Sequence, residues 1–324
     1  MKLIYDPKVY LVGKQRADED ELGLFLTDHG ISWQTDTEVA AERLPEIAGR
    51  VCYFSFDKPR PGGNQAYLKH ILEVGHGSVL EHAVWSFIVT GVSRSFSHEF
   101  IRHRIGMSPS QLSQRFVDES VAEYVVPHDL RNEVADAQQE MARWSPVLTA
   151  QDVLRSLAMG SGGLERLIPP TLTGLQWLAA MEQATAGYRK MVEHLTRKIT
   201  AEAYARYLDR VTDGRSLEPM PLEVWQTSKT PENDRTSIRK QARQAARSVL
   251  PNATETKLFF TINARAARNF FELRASRHAE PEIRKVAYAV WQVLVKEAPH
   301  LFGDYVEAEL PDGTHELTTL HRKV

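Results

Sequence analysis

Three arginines, one histidine and three serines fall within residues 102–115, and no acidic residue lies among them. The chain has 324 residues and a formal net charge of -2, so this positive charge is local. A local cationic cluster on a near-neutral protein is more typical of a pocket for an anion than of a surface that binds polyanions. Arg102, Arg104 and Arg115 could each bind phosphate oxygens through two parallel hydrogen bonds. The simpler interpretation is a solvated, charged helix end.

A second polar stretch, residues 73–82, contains two histidines and two glutamates. Such side chains are common metal ligands. Glycines separate them, however, so they cannot form one ligand face on a helix, and no third strong ligand lies nearby in the sequence. We therefore expect no metal here. A polar turn in which Ser78 and Glu81 contact a bound molecule is favoured instead.

A third stretch, residues 261–278, is rich in arginine and asparagine. On a helix, Arg265 and Asn269 would share one face and Arg274 would lie on the next. Asn263 and Asn269 are mediocre helix formers, which favours a role in ligand binding. The alternative is a charged surface helix.

Arg247 stands apart from these stretches, at the predicted end of a helix before Pro251. It could bind a ligand, or it could only stabilise the helix C-terminus with its positive charge. Two common nucleotide-binding motifs are unsupported. No Gly-x-Gly-x-x-Gly follows a predicted strand, and the glycines of residues 160–163 lack the preceding strand and the following lysine of a Walker A loop.

The single cysteine, Cys52, excludes an intramolecular disulfide and favours a reduced, cytoplasmic setting. No histidine lies beside it in the sequence, so we expect a small buried residue there and not a nucleophile. The first twelve residues lack the apolar core of a signal peptide. No apolar run approaches the ~20 residues that a membrane-spanning helix needs.

The elements that position these stretches can be predicted from the periodicity of apolar residues. Residues 83–92 alternate between apolar and polar side chains, which predicts a strand. A helical pattern follows from Ser93 to about Arg104, and because Pro109 forbids its continuation we predict a loop there. The other predicted helices are 18–26, 37–51, 64–74 with Asn64 as its cap, 234–248 with Asp234 as its cap, 265–276, and a last helix from Pro281. The other predicted strands or extended segments are 2–12, 116–126 and 257–262.

Residues 129–233 have a different pattern, helical with loops, and include a long helix with an apolar stripe after breaks at 159–163 and 169–170. We interpret this region as an elaboration on a core. The prediction is therefore an α+β protein, with a central mixed or antiparallel sheet and flanking helices. We predict that the protein consists of one catalytic domain, residues 1–324, with a helical insertion at about 129–233.

Residues 102–104 and 113–115 resemble the signature of the flavin-dependent thymidylate synthases, which is Arg-His-Arg, a short spacer and Ser-x-Arg. Residues 50–53, 76–82 and 263–278 also resemble the family, in the family's order. The resemblance covers roughly residues 40–126 and 235–300. The middle of the chain does not contribute to it.

The resemblance implies reductive methylation of dUMP to dTMP by a homotetramer whose subunits share active sites. FAD would be the cofactor, methylenetetrahydrofolate would supply the carbon, and NADPH would reduce the flavin. The family activates its substrate without an enzyme cysteine, which agrees with a thiol that has no base beside it. Neither a nucleic-acid partner nor a membrane is expected.

The resemblance also implies roles for individual residues. The flavin site would comprise Ser78, Arg102, His103, Arg104, Gln111, Asn263, Arg265 and Asn269. The nucleotide site would comprise Glu99, Arg102, Gln111, Leu112, Ser113, Gln114, Arg115, Arg247 and Arg274. Arg274 would be the catalytic residue, because a fixed guanidinium against the uracil favours ionisation of its N3 by stabilising the developing anion.

Two features depart from the family pattern. Eight residues, 105–112, separate Arg104 from Ser113 where we expect seven, and Glu99 stands where we expect glutamine. A carboxylate near an anionic substrate is unfavourable unless it pairs with an arginine. A homologue that modifies another pyrimidine nucleotide, or that adds hydroxymethyl, is therefore one alternative. Another is a nucleotide- or RNA-binding module without turnover, which the near-neutral charge and the lack of an aromatic-basic platform disfavour.

Overall fold

A computed structural model describes residues 1–144, 149–159, 169–213 and 218–322. The chain divides into two compact units. The first, here called the sheet unit, consists of Asp6–Gln111 and Thr256–Val324. The second, the helical unit, consists of Met1–Tyr5 and Leu112–Glu255. The boundary between Gln111 and Leu112 falls inside the cationic motif, so the motif contributes residues to both units.

The described elements confirm the predicted α+β class. The strands are β1 (Lys2–Ile4), β2 (Lys8–Lys14), β3 (Val84–Ser93), β4 (Met107–Gln111), β5 (Glu123–Val125), β6 (Glu255–Asn263), β7 (Val306–Glu309) and β8 (His315–Thr318). The helices are α1 (Glu19–Asp28), α2 (Ala40–Tyr53), α3 (Gly63–Glu73), α4 (Arg94–Phe100), α5 (Arg131–Trp144), α6 (Ala150–Met159), α7 (Pro169–Asp213), α8 (Leu222–Trp225), α9 (Arg235–Ala246), α10 (Ala264–Arg274), α11 (Pro281–Glu297) and α12 (Pro299–Phe302).

The sheet unit is built on a four-stranded sheet with the order β2-β3-β6-β4. β2 pairs with β3, and β4 with β6, in antiparallel register. The alternation in β3 behaves as predicted, with Trp85, Phe87 and Val89 buried on one face. The ring of Phe87 stacks on Phe260 of β6 at a centroid distance of 5.3 Å. The apolar face of the sheet is thus the core against which the helices of this unit pack.

Phe100, the last residue of α4, fixes the position of that helix end. Its ring meets Phe260 of β6 edge-on at 4.9 Å and Phe270 of α10 at 5.6 Å. All three rings are fully buried. Burial of a phenylalanine side chain contributes about 1.5–3 kcal/mol, so this contact holds the residues after α4 beside α10.

The helix that begins after Ser93 ends at Phe100, earlier than predicted. Ser93 caps it as expected, since its Oγ accepts a hydrogen bond from the Phe96 amide at 3.0 Å. After Phe100 the helical hydrogen bonds give way to a tight turn. The amide of His103 donates to the carbonyl of Phe100, three residues earlier, at 3.1 Å. Gly106 then has φ = 68°, in the left-handed region, which allows the chain to reverse into β4. Residues 102–104 therefore lie in a turn and not on a helix.

The loop predicted around Pro109 is wrong, because Pro109 lies in the middle of strand β4, opposite Phe260. β4 is at the edge of the sheet, with β6 on one side. Proline is tolerated in an edge strand because its missing N–H can face away from the neighbouring strand. Periodicity could not reveal this strand, since Met-Ser-Pro-Ser-Gln carries a single large apolar residue.

Other boundaries differ from the prediction for local reasons. Asn64 does not cap α3; Gly62 does, and Asn64 is buried, with its amide donating to Glu46 at 2.7 Å. Of residues 116–126, only Glu123–Val125 form a strand, which pairs with β1. Pro281 begins α11 as predicted, but a further short helix and the β7–β8 hairpin follow it.

The helical unit contains the region that the sequence indicated as helical. Its largest element is α7, which runs for 45 residues and has α5, α6 and α9 as its main helical neighbours. Asp234 caps α9 as predicted and accepts hydrogen bonds from the amides of Thr236 and Ser237. The predicted break at 160–163 lies outside the described residues. A single domain with an insertion at 129–233 stays a prediction, and the compact unit here is larger than that insertion.

Candidate active site

Glu99, His103 and Arg274 form a hydrogen-bonded group in the sheet unit. Arg274, at the end of α10, donates from Nε to His103 Nε2 at 2.9 Å and from Nη1 to Glu99 Oε2 at 2.7 Å. Glu99 lies on α4, and His103 lies in the turn after it. The carboxylate that would be unfavourable near an anion is therefore paired with an arginine. The side chains of Arg274 and Glu99 are 25% and 36% exposed, so this group is open to a ligand.

The environment of His103 keeps its imidazole neutral. Burial lowers its pKa from 6.5 to about 4, the Arg274 guanidinium acts in the same direction, and the Glu99 carboxylate opposes both. Because Nε2 accepts the hydrogen bond from Arg274, the ring proton must reside on Nδ1. The ring also meets the edge of Phe270 at 5.1 Å. His103 is therefore a fixed neutral ring with one donor, Nδ1–H, at neutral pH.

The two arginines on either side of His103 are exposed. Among the described residues, neither the Arg102 nor the Arg104 guanidinium has a hydrogen-bond or ion-pair partner in the protein. This contrasts with Arg268, which is buried and binds both oxygens of Asp304 at 2.7 Å. Two unpaired guanidiniums beside a turn can bind an anionic ligand without first breaking a salt bridge.

The spacer after Arg104 is interlocked with the start of α10. The amide of Asn263 donates to the carbonyl of Gly106 at 3.0 Å. Asn263 is also the cap of α10, because its Oδ1 accepts from the Ala266 amide at 2.8 Å. Pairing of β4 with β6 places Met107 opposite Ile262. The first and third polar stretches, about 160 residues apart in the sequence, are thus joined at this point.

Replacing Gly106 with alanine is expected to destabilise the protein by more than about 2 kcal/mol. The left-handed backbone costs a side-chain-bearing residue about 1–2 kcal/mol. In addition, the new Cβ would lie 2.6 Å from Asn263 Nδ2 and 2.8 Å from the Ala266 Cβ. The free energy of unfolding in urea measures the effect. Gly30→Ala is the matched control, because Gly30 has φ = 63° with nothing within 4 Å of a Cβ. If both variants lose the same free energy of unfolding, the packing of Gly106 against Asn263 and Ala266 is not tight.

A cleft of about 290 Å³ brings the second polar stretch together with α10. Ser78 and Arg265 line it, together with the rest of residues 75–79, Ile71 of α3, and three residues near the end of α2, Gly49, Cys52 and Tyr53. Arg265 donates to Glu81 at 2.7 Å, and both side chains are nearly half exposed. Ser78 and Arg265 are therefore neighbours, although 187 residues separate them in the sequence.

Cys52 corrects one expectation, because it is exposed and lines this same cleft. His76 also lines the cleft and stacks on Tyr53 at a centroid distance of 6.1 Å. Asn269 is exposed on α10, one helical turn after Arg265. Within the described ranges, no three His, Cys, Asp or Glu side chains are grouped so as to hold a metal ion.

The helical unit holds the second half of the cationic motif in a tight turn. The amides of Phe116 and Val117 both donate to the carbonyl of Ser113, at 3.1 and 3.0 Å. The Gln114 side chain is 7% exposed, and its Nε2 has no hydrogen-bond partner in the described part of the chain. The buried Nε of Arg115 likewise has none. Both donors are therefore available to an acceptor-rich ligand such as a phosphate.

Helix α9 anchors this turn through a residue that the sequence reasoning missed. Arg243 donates to the carbonyl of Phe116 at 2.6 Å and to Asp118 at 2.9 Å. Arg247, half-buried, lies one turn further along, where α9 ends. The four-residue spacing between Arg243 and Arg247 was the available signal.

The two residues between the motif's halves lie at the unit boundary. Gln111 ends β4, and its Nε2 donates to Thr256 Oγ1 at 3.4 Å, within the sheet unit. Leu112 is half-buried and begins the helical unit. The structure therefore supplies Glu99, Arg102, His103, Arg104, Gln111 and Arg274 on one unit, and Leu112, Ser113, Gln114, Arg115 and Arg247 on the other.

Known proteins resemble this chain in sequence and in fold. The family model described as "Thymidylate synthase complementing protein" matches residues 35–300. The flavin-dependent thymidylate synthase of Mycobacterium sp. (strain JLS) is 39% identical over 297 residues, which is 91% of each chain. That of Corynebacterium efficiens is 38% identical over the same lengths. Among solved structures, the UMP/dUMP methylase PolB from Streptomyces cacaoi, bound with 5-Br dUMP, superposes with a TM-score of 0.50. The superposition covers 94% of this chain and 96% of PolB at 19% identity, so it shows a shared fold alone.

Proposed function

Because this chain belongs to the flavin-dependent thymidylate synthases, an FAD-dependent family of methyltransferases, we propose that it methylates dUMP to dTMP with methylenetetrahydrofolate as the carbon donor and NADPH as the reductant. The observation that carries the proposal is the fixed Arg274 guanidinium beside two unpaired arginines. In this group, Arg274 can stabilise negative charge on a pyrimidine ring, and the two unpaired arginines can bind nucleotide phosphates.

The residues present fit an FAD nucleotide. Arg102 and Arg104 are unpaired cations among the described residues, and His103 offers an Nδ1–H donor. Ser78 and Arg265 line a cleft of about 290 Å³, with Asn263 and Asn269 on the adjoining helix. We assign all seven, together with Gln111, to flavin binding. When bound, the flavin supplies the electrons that reduce the transferred carbon.

The dUMP phosphate is assigned to the turn that holds Ser113, Gln114 and Arg115. The unsatisfied Nε2 of Gln114 and Nε of Arg115 are donors that phosphate oxygens would satisfy. Arg247 adds a half-buried positive charge, and we also assign Gln111, Leu112 and Arg102 to the nucleotide. The role of this turn is to hold the substrate by its charge and not to form a covalent bond.

Arg274 is assigned to the uracil ring, as the catalytic residue. A guanidinium that is already oriented stabilises negative charge on the ring as N3 ionises, without reorganising during the step. The neutral state of His103 supports this role, because a charged imidazole would repel Arg274 from its present position. Burial of the ring ensures that neutral state at physiological pH.

We further propose a cytoplasmic homotetramer whose subunits share active sites. The single cysteine would stay reduced in the cytoplasm. None of the described helices is long and apolar enough to cross a membrane. The formal net charge of -2 does not favour a nucleic-acid partner.

The first test is the absorption spectrum of the purified protein, followed by titration with dUMP. We expect a flavin spectrum that dUMP perturbs with saturation, and no flavin after reconstitution with FAD would refute the proposal. Because the spacer before Ser113 is one residue longer than the family pattern, UMP and dCMP belong in the same titration. Product masses from all three nucleotides would then distinguish dUMP methylation from hydroxymethylation or from activity on another pyrimidine.

A further inference from the structure

The resemblance to the family implies that Glu99 contacts the nucleotide directly, but its carboxylate is already engaged. Glu99 Oε2 accepts from Arg274 Nη1 at 2.7 Å, while Arg274 Nε donates to His103 at 2.9 Å. Arg274 Nη2 has no partner in the part of the chain that the structure describes. A guanidinium held at both Nε and Nη1 cannot rotate without breaking one of these bonds, and its remaining edge stays available to a ligand.

Of the two bonds, the one to Glu99 is the stronger. The guanidinium is charged in both bonds, but only Glu99 adds the attraction of an opposite charge, since His103 is a neutral acceptor. Arg274 is partly exposed, so water competes with the imidazole for its Nε. Confining a long arginine side chain also costs conformational entropy, and a single hydrogen bond to a neutral ring offsets that cost poorly.

We propose that Glu99 is a positioning residue, which acts on the substrate through Arg274 by holding that guanidinium against His103. One carboxylate thereby orients the catalytic arginine, and the arginine in turn fixes the tautomer of His103. The effect on turnover rests on the proposed function. The effect on His103 does not, because it concerns the protein without ligands.

Charged groups lie around His103, and a test must distinguish their separate effects on its pKa. The charge of Arg274 on α10 lowers the pKa of His103, and the charge of Glu99 on α4 raises it. Glu282 of α11 also interacts with Glu99; it accepts from the Ser93 amide at 2.6 Å, and burial raises its pKa. Removal of Glu99 therefore has two opposing effects on His103. Loss of the carboxylate charge lowers the pKa of His103, whereas release of Arg274 raises it.

The experiment is an NMR titration of the full-length protein labelled with ¹⁵N-histidine. The chain has twelve histidines, so His103→Gln identifies the signal. In the unmodified protein we expect the Nδ1–H tautomer at neutral pH and a midpoint at about 4. In Glu99→Ala, release of Arg274 should raise the titration midpoint of His103. The ring should then populate both neutral tautomers, as in Arg274→Ala. A midpoint that falls, with the tautomer unchanged, would show that Arg274 stays in place without Glu99 and would overturn the proposal.

Glu99→Gln provides the rescue. Its amide oxygen can still accept from Arg274, so the arginine should stay, the tautomer should remain fixed, and the midpoint should not rise. Glu316→Gln is the control for loss of a carboxylate, since Glu316 pairs with Arg277, which follows Arg274 by three residues in the sequence. It should leave the His103 signal unchanged. The tautomer is read at neutral pH, so a variant that unfolds in acid still gives an answer.

Turnover distinguishes positioning from direct contact with substrate. Misplacement of a catalytic group by about 1 Å can cost a factor of about 100, so Glu99→Ala should lower kcat by one to two orders of magnitude, with flavin content and the KM for dUMP nearly unchanged. Glu99→Gln should recover most of kcat. If Gln is as inactive as Ala and both raise KM, the carboxylate itself contacts the nucleotide and the positioning role is wrong.

Discussion

Replacement of Arg115 with alanine is expected to weaken dUMP binding by at least a hundredfold while the protein stays folded. Arg115 carries a buried Nε without a partner in the described structure, and we expect its guanidinium to form two bonds to the phosphate. Each hydrogen bond to a charged group contributes about 1.5–3 kcal/mol, and a loss of about 3 kcal/mol exceeds a factor of ~100 in Kd. Titration of the bound flavin's absorbance with dUMP measures it.

Two further variants test whether the charge of Arg115 or the planar geometry of its guanidinium accounts for dUMP binding. Arg115→Lys keeps the charge but loses the planar fork, so an intermediate Kd is expected. Lys240→Ala removes a nearby cation, whose ammonium lies 4.9 Å from the Phe116 ring, and should change Kd little. Unchanged dUMP affinity in Arg115→Ala would exclude this turn as the phosphate site.

Replacement of Arg274 with alanine is expected to lower kcat by roughly 100- to 1,000-fold and to leave the flavin content unchanged. Removal of one preoriented donor to a developing anion costs that much in other enzymes. Flavin binding should persist because the assigned flavin residues do not depend on Arg274 for their position, apart from His103. Steady-state rates and the ratio of flavin to protein after purification are the two measurements.

Arg277→Ala is the matched control for this prediction. Arg277 lies one turn beyond Arg274, is 60% exposed and pairs with Glu316. Its loss should leave kcat within a factor of about two, because its guanidinium binds Glu316 and neither Glu99 nor His103. An Arg274→Ala variant that keeps its full rate would remove Arg274 from the catalytic role.

Much of the sheet unit follows from local patterns. Strand β3 and helix α10 could be predicted because each has one buried face, which leaves a clear periodicity of apolar residues in the sequence. Strand β4 could not, since its pairing with β6 depends on backbone hydrogen bonds that leave no apolar alternation in the sequence. The β7–β8 hairpin is similarly hidden, because all four residues of β7 are exposed.

The chemical groups were easier to predict than their contacts. Residue types and the family signature predicted Glu99, His103 and Arg274 as candidate site residues. Their mutual hydrogen bonds could not be predicted, because Glu99 and Arg274 are 175 residues apart and are brought together by tertiary packing, in which Phe100 contacts Phe270. The exposure of Cys52 was missed for the same reason, since it depends on where α2 ends relative to the cleft.

The most direct test of the function is to identify the product. The purified protein, loaded with FAD, is incubated with dUMP, NADPH and methylenetetrahydrofolate that carries deuterium on its methylene carbon, and the nucleotides are analysed by mass spectrometry. We predict dTMP that carries the deuterium, and none when the folate is omitted. Protein that binds FAD and dUMP but yields no dTMP under these conditions would contradict the account.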